Sequence, residues 1–337
     1  MKDLLPIHDV ITQVQEATTV GKRAVIVAPP GAGKTTIIPL KLLDNPNING
    51  QIIILEPRRL AARAAASQMA AILNEKIGET VGFKIKGLTK VSKQTRIVVM
   101  TEGILIRMIQ SNPSLSEVGC IIFDEFHERS INSDLGLALS LQIAEILRSD
   151  LRIIVMSATL DVGSVSDLLD TKAPIISDGR AYPVNCEYLS RPRSKNDKLW
   201  ENFAKLVSDA FEMTEGGILA FLPGEAEIRA TEKLLKEKLP NSAIIMPLYG
   251  SLPFEQQNKI LEPLKDETLR KVVLSTSIAE TSLTISGIKV VVDSGYTRRS
   301  RYDPTSGMSR LITQKISKAE ANPVSYTHLR AHETKRN

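Results

Sequence analysis

Short runs of aliphatic and β-branched residues recur along the chain, separated by longer segments of mixed polarity. In the first half they read "RAVIVAP", "QIIILEP", "RIVVMT", "GCIIFDE" and "LRIIVMSA"; in the second, "GGILAFLP", "AIIMPLY", "RKVVLST" and "IKVVVDS". Most are apolar without alternation, which is how strands covered on both faces of a parallel sheet read, and the intervening segments are long enough for crossover helices. The pattern predicts an α/β protein with two mostly parallel sheets. The joint falls near "SDGRAYPVNCEY", residues 177–188, where Gly179 and Pro183 interrupt regular structure. The expected organisation is a first domain over residues 1–176, a linker over 177–190 and a second domain over 191–321, alike in architecture without a short sequence repeat.

Composition supports this picture. The chain has 337 residues, 42% of them hydrophobic and 24% charged, enough for about two buried cores. No apolar run approaches the roughly 18 residues of a membrane span, and "MKDLLPIHDV" lacks the regions of a secretory signal, so a cytoplasmic protein with no membrane partner is expected. Cys120 lies in an apolar run and Cys186 in an expected strand; both read as reduced packing residues, and no metal-ligand spacing of cysteines and histidines occurs. The net charge of +5 is a weak pointer to nucleic acid. Residues 322–337 contribute Arg330, Lys335 and Arg336 against Glu333, which leaves +3 for the rest.

Local chemistry carries more. "AVIVAPPGAGKTT" sets a strand, a Gly-rich turn and a helix start in the order of a phosphate loop, over Pro30, Gly31, Ala32, Gly33, Lys34, Thr35 and Thr36. Gly31 and Gly33 let backbone amides turn inward, Lys34 reaches the β and γ oxygens of a bound NTP, and Thr35 offers its hydroxyl to Mg²⁺. Ala28 stands where the strict pattern has its first glycine, and a plain glycine turn before a helix is the alternative for this segment alone. "CIIFDEFHERS" argues against that alternative: an apolar strand delivers two adjacent carboxylates, Asp124 for the Mg²⁺ shell and Glu125 to orient and deprotonate water. "LRIIVMSATLDVG" ends a third strand in Ser157 and Thr159, small hydroxyls where α/β sheets bind ligands, although on its own the pair could satisfy local backbone groups.

Seven segments, "APPGAGKTT", "LEPRRLAAR", "TEGILIRM", "DEFHERS", "MSATL", "FLPGEAEI" and "STSIAETSLTI", fall in the order and approximate spacing of a DEAH-box helicase, and the chain resembles the bacterial HrpB type in particular. Phe126 stands where many relatives have Ala, a departure shared by that type. The resemblance covers the chain to about Ala321. It implies two RecA-like P-loop NTPase domains that close on ATP or another NTP with Mg²⁺ and grip a nucleic-acid strand. It also implies that Ser157 and Thr159 form the motif coupling hydrolysis to domain movement, with His127 as a hydrogen-bonding neighbour.

Arg58 and Arg59 emerge where a helix follows the strand "QIIIL", and read as phosphate contacts; solvated surface arginine remains the reading for Arg63. Thr101, Glu102 and Gly103 follow "RIVVM" and suit a sugar-phosphate chain, and Thr276, Ser277, Thr281 and Ser282 look like the second-domain motif that touches nucleic acid and NTP. Nothing here is placed to read base edges, so the expected grip is on the backbone of single-stranded or partly duplex nucleic acid. The resemblance favours RNA. "RRSRYDPTSGMSRLITQ" predicts two strands around a turn, either a plain surface hairpin or the strand-separating hairpin the resemblance implies. No adenine-reading glutamine motif is present and Leu261 replaces a stacking aromatic of some relatives, so use of several NTPs is expected.

The leading expectation is therefore an NTP-dependent helicase or translocase core, with a nucleic-acid-binding module carrying a nucleotide switch as the alternative; a small regulatory GTPase would not need the second domain. After "LITQKISKAEA" the family pattern, a Q-R-x-G-R-x-x-R segment, is replaced by "NPVSYTHLRAHETKRN". Residues 322–337 are expected to be a foreign, disordered tail, and the chain without its arginine finger to hydrolyse NTP poorly.

Overall fold

The computed structural model describes residues 5–20, 22–29, 31–159, 162–171, 173–178, 185–188, 199–279 and 285–316. The expected tail, most of the expected linker, Pro30, Thr281 and Ser282 lie outside these residues. The chain divides into two compact units, Met1–Ala181 and Tyr182–Asn337.

The first unit runs α1 (Ile11–Val20), β1 (Arg23–Val27), α2 (Lys34–Leu42), β2 (Gln51–Leu55), α3 (Arg59–Ile72), β3 (Val81–Ile85), β4 (Leu88–Lys90), β5 (Ile97–Met100), α4 (Glu102–Ser111), β6 (Val118–Phe123), α5 (Ile131–Ile146), β7 (Arg152–Ser157), α6 (Gly163–Leu168) and β8 (Ile175–Ile176). Among the described residues these strands form one eight-stranded sheet in the order β4-β3-β5-β2-β6-β7-β1-β8. Its pairs are parallel except β3 with β4. The five strands expected from sequence are its centre, and β5, β6 and β7 are buried along their whole length. One face packs Val25, Ile53, Val98, Ile121, Phe123 and Val155 into a core with Leu105, Leu137 and Leu141 from α4 and α5. The sheet ends in short edges, a three-residue β4 and a two-residue β8, which limits the unpaired backbone offered to other chains.

The β3–β4 hairpin was not expected from the hydrophobic pattern. Its turn is Lys86-Gly87, with Gly87 at φ 82°, and Gly82 admits the neighbouring backbone, since a Cβ there would lie 2.3 Å from the Lys90 carbonyl oxygen.

The second unit contains α7 (Leu199–Met213), β9 (Gly217–Phe221), α8 (Glu225–Lys238), β10 (Ala243–Leu248), α9 (Phe254–Leu261), β11 (Arg270–Ser275), β12 (Ile288–Asp293), β13 (Tyr296–Asp303) and β14 (Met308–Lys315). Among the described residues β10-β11-β9-β12 form a parallel four-stranded sheet, and β13-β14 a separate antiparallel hairpin. β9 and most of β11 are buried, whereas β10 is half-buried despite its apolar run. Its edge position explains both that exposure and the tolerance of Pro247 within it. The core joins Phe203, Val207, Ile218, Leu235, Val272 and Leu274.

Candidate nucleotide site at the sheet edge of the first unit

The parallel register aligns the carboxyl ends of the central strands. Val27 pairs with Ser157, Leu55 with Phe123 and Leu55 with Met100. The ladder runs on by one bond at each junction: the amide of Ala28 donates to Ser157 O (3.1 Å), that of Asp124 to Leu55 O (3.1 Å) and that of Glu56 to Met100 O (2.9 Å). The phosphate loop, Glu56, the Asp124-Glu125 pair, Thr101 and Ser157 therefore share one edge, because β1 lies beside β7 while the chain crosses over to β2. This is the crevice position in which open α/β sheets hold ligands.

Gly31 (φ 78°) and Gly33 (φ 93°) take the left-handed conformations that the loop requires. Gly33 is also the N-cap of α2, and no described side chain caps that helix, so its first amides face the loop. Ala32 is buried and its carbonyl accepts from the Ile7 amide (3.2 Å), and the Thr36 hydroxyl reaches back to Gly33 O (3.5 Å), so these two positions hold the loop's shape.

Lys34 Nζ donates to Glu125 Oε1 at 2.8 Å, with side chains only 4% and 6% exposed. Thr35 Oγ1 donates to Asp124 Oδ2 at 2.5 Å, and the Glu125 amide to Asp124 Oδ1 at 2.8 Å. Glu125 sits at φ 50° and Arg129 at φ 51°, left-handed conformations for non-glycine residues, and this kinked turn aims the carboxylates back over the sheet. Phe126 anchors the turn: it is buried edge-on to Phe123 at 6.3 Å between centroids, with the Arg129 guanidinium 5.6 Å above its ring.

Burial opposes every charge here, and the neighbours decide the outcome. Burial would raise Glu125, but Lys34 and then His127 outweigh it and hold the carboxyl below its ordinary value. Burial would lower Lys34, but Glu125, Asp124 and Glu56 keep it above the usual lysine value. Asp124 is pushed up to about 6, by burial first, against the pull of Lys34. Glu56 stands well above the carboxylate range because it is buried and faces both Asp124 and Glu125.

His127 Nδ1 lies 3.4 Å from Glu125 Oε2 and accepts the Ala158 amide at 3.3 Å. Burial lowers the imidazole's pKa despite Glu125, and the neutral ring that accepts at Nδ1 carries its proton on Nε2. Ser157 is buried and Thr159 exposed; the Ser157 hydroxyl donates to Thr159 O (3.1 Å) and accepts the Thr159 amide (3.1 Å). The structure thus brings His127 to the backbone between these two hydroxyl residues.

The expected nucleic-acid residues of the first unit lie at the same edge with varied engagement. Arg58, the N-cap of α3, donates to Glu128 Oε2 at 3.3 Å, and Arg59 is exposed at the first position of that helix. Thr101 is the N-cap residue of α4, its carbonyl accepting the Ile104 amide (2.8 Å) while its side chain makes no capping bond, and Gly103 has open space around it. The Glu102 carboxylate is buried and takes the Ser130 hydroxyl, whose oxygen in turn accepts the Ser133 amide (2.9 Å) at the start of α5. Burial raises the pKa of Glu102. In the second unit Thr276 continues the ladder, its amide donating to Leu248 O (3.2 Å), and Ser277 is exposed at the first position of a 3₁₀ turn. Gly224, the N-cap of α8, lies against Arg298 of the hairpin, which pairs with Glu227 at 2.9 Å; a Cβ at 224 would come within 2.5 Å of the guanidinium.

Sequence reasoning passed over Glu56, Glu128 and Ser130. Glu56 could have been found from "LEP", because a carboxylate delivered by an apolar strand, as in "FDE", is unusual outside a site. The other two show themselves only through their partners.

A strand-loop-helix phosphate cradle whose lysine and threonine meet two carboxylates at the end of a parallel strand one place removed, beyond β7, defines a P-loop NTPase. Residues 9–168 match the DEAD/DEAH box helicase family and residues 195–319 the helicase conserved C-terminal domain. The chain belongs to the DEAD/DEAH box helicases. It is 44% identical over 315 residues to the ATP-dependent RNA helicase HrpB of Escherichia coli, covering 94% of this chain and 39% of that protein. It is 36% identical over 314 residues to human ATP-dependent RNA helicase DHX33, covering 88% and 43%. The crystal structure of Escherichia coli DEAH/RHA helicase HrpB superposes with a TM-score of 0.89 at 43% identity, covering 96% of this chain and 41% of that one. The chain thus spans about two fifths of the length of these relatives.

Proposed function

We propose that this chain is the NTP-hydrolysing core of an RNA helicase, with ATP and Mg²⁺ as its working ligands and a nucleic-acid backbone as its track. The observation that carries this reading is the buried pairing of Lys34 with Glu125 beside the Thr35–Asp124 contact, two loop groups matched to two carboxylates of one strand end. Names of the similar proteins, ATP-dependent RNA helicases, support RNA as the substrate.

The donor set fits Mg²⁺. Thr35 Oγ1 and Asp124 Oδ2 are hard oxygen donors already in contact, and among the described residues no three His, Cys, Asp or Glu side chains form a closed metal cage. That is what a nucleotide-borne cation needs, since Mg²⁺ takes one or two protein ligands and fills its shell with phosphate and water. When bound, it supplies charge neutralisation at the β and γ phosphates.

The protein's own steps follow from the Lys34–Glu125 pair. Phosphate oxygens compete with Glu125 for the Lys34 ammonium, and the helix α2 amides add donors. Once Lys34 turns to phosphate, Glu125 loses the charge that chiefly held its pKa down and becomes a stronger base for the attacking water. His127, 3.4 Å from the carboxylate and bonded to the Ala158 amide, stands between Glu125 and the backbone of Ser157 and Thr159. Phosphate release from ATP and from other NTPs, with and without single-stranded RNA and DNA, tests the proposal. Stimulation by RNA is expected. Nucleotide binding with no release under any condition identifies a nucleotide-switch module instead.

A further inference from the structure

The mechanism above leaves one buried ionisable group unused. Glu56 follows β2 directly, is 0% exposed, and neither carboxylate oxygen has a hydrogen-bond partner among the described residues. The neighbour facing it most closely in charge is the Asp124 carboxylate, near enough to share a proton with Glu56 but with no hydrogen of its own to give when ionised, followed by Glu125 and Lys34. Strand alternation accounts for this aim: Leu55 points into the core with Phe123, so Glu56 and Asp124, one residue further along adjacent strands, turn to the opposite face, toward α2. An unpartnered buried carboxylate costs several kcal/mol in general and is retained where something compensates it.

Three carboxylates, Glu56, Asp124 and Glu125, thus surround one ammonium, that of Lys34. Resting on the reading of this edge as an NTP–Mg²⁺ site, we propose that Glu56 is a positioning residue for the cation: its oxygens would accept hydrogen bonds from the cation's bound water, while Thr35 and Asp124 would hold the cation directly. The chemistry is complementary. Phosphate draws the Lys34 ammonium away from Glu56, and a hydrated divalent cation both replaces that charge and brings O–H donors to two oxygens that lack them. Outer-shell carboxylates of this kind fix the orientation of bound water and of the direct ligand, here Asp124.

The test measures binding of a fluorescent, non-hydrolysable ATP analogue to the native chain and to Glu56→Gln and Glu56→Leu, first in EDTA and then against rising Mg²⁺. The native chain is expected to bind weakly in EDTA and more tightly with Mg²⁺. Both variants should match it in EDTA but need roughly 10-fold more Mg²⁺ to reach half of the gain. A carboxyl that only supports the fold would lower the melting temperature equally with and without Mg²⁺ and leave the Mg²⁺ midpoint unchanged, and that result overturns the proposal. Absence of any Mg²⁺ effect in the native chain removes the nucleotide reading itself, and the proposal with it. Should both variants fail to fold, a crystal structure of the native chain with the analogue and Mg²⁺ decides: a cation-bound water within hydrogen-bond distance of Glu56 supports the assignment, and its absence overturns it.

Discussion

His127 accepts the backbone amide of Ala158 at 3.3 Å and, through the same nitrogen, lies 3.4 Å from the Glu125 carboxylate. One imidazole nitrogen therefore faces both the Glu125 carboxylate, proposed above as the base for water, and the backbone of the Ser157–Thr159 stretch.

Removing the hydroxyls of that stretch leaves the phosphate loop and both carboxylates intact. Ser157→Ala with Thr159→Ala is expected to keep NTP hydrolysis within about 3-fold while lowering duplex unwinding at least 10-fold, in the longest natural form of the protein that unwinds. Equal loss of both activities, followed in parallel on the same preparation, argues against a coupling role.

Lys34 and Glu125 form one ion pair but should fail differently. Lys34→Ala removes the phosphate contact and is expected to weaken nucleotide binding 10-fold or more. Glu125→Gln keeps the size of the side chain and is expected to retain binding but slow phosphate release by about 10²–10⁴. Equilibrium binding of a nucleotide analogue beside single-turnover hydrolysis separates the two; identical phenotypes would overturn the assigned roles.

Arg148 clamps the loop before β6. Its guanidinium donates to the carbonyls of Ser114 (3.0 Å), Leu115 (2.6 Å) and Val118 (2.9 Å) and to both Asp150 oxygens (2.8 Å each). Arg148→Ala should lower unfolding stability by about 2–3 kcal/mol, most of it from the abandoned carbonyls. Hydrogen bonds from Arg148 hold Asp150 at about 2, below the roughly 3.9 of a free aspartate. A carboxyl depressed in the folded state stabilises above its unfolded pKa and loses that contribution as pH falls through the folded one. Native stability should therefore decline between about pH 4 and pH 2 by an amount that Asp150→Asn abolishes, seen as a flatter urea midpoint across that window. The effect is small, since the carboxylate is 58% exposed.

Gly82 has no room for a side chain, with the Lys90 carbonyl oxygen 2.3 Å from where a Cβ would stand. Gly82→Ala is expected to cost about 1–3 kcal/mol and to loosen the β3–β4 hairpin, visible as faster amide exchange at the Phe83 and Lys90 pair. Gly103→Ala, which meets open space, is the control and should leave stability within about 1 kcal/mol.

The central strands were legible because each is an unbroken apolar run, and such a run has few ways to be buried other than in the middle of a parallel sheet. β3 escaped notice because "VGFKI" interrupts its apolar residues with Gly82 and Lys84, and Lys-Gly is a weaker turn signal than Asn-Gly. β10 was legible as a strand but not as an edge; which strand lies outermost depends on the order of crossovers, and a local run carries no trace of that.

The site divides in the same way. Lys34, Thr35, Asp124 and Glu125 could be read from the chain because phosphate-binding chemistry demands those residue types at fixed offsets from a strand end. What the sequence by itself determined is thus the set of strands and the groups each delivers at its carboxyl end. Only the tertiary structure decided which ends are neighbours. The register that sets Leu55 beside Phe123 makes Glu56 and Asp124 neighbours across 68 residues of sequence, and the kink at Glu125 brings His127 to Ala158. These contacts run between strands, perpendicular to the chain, and their energies depend on burial and on neighbouring charge. Neither quantity exists until the sheet has assembled.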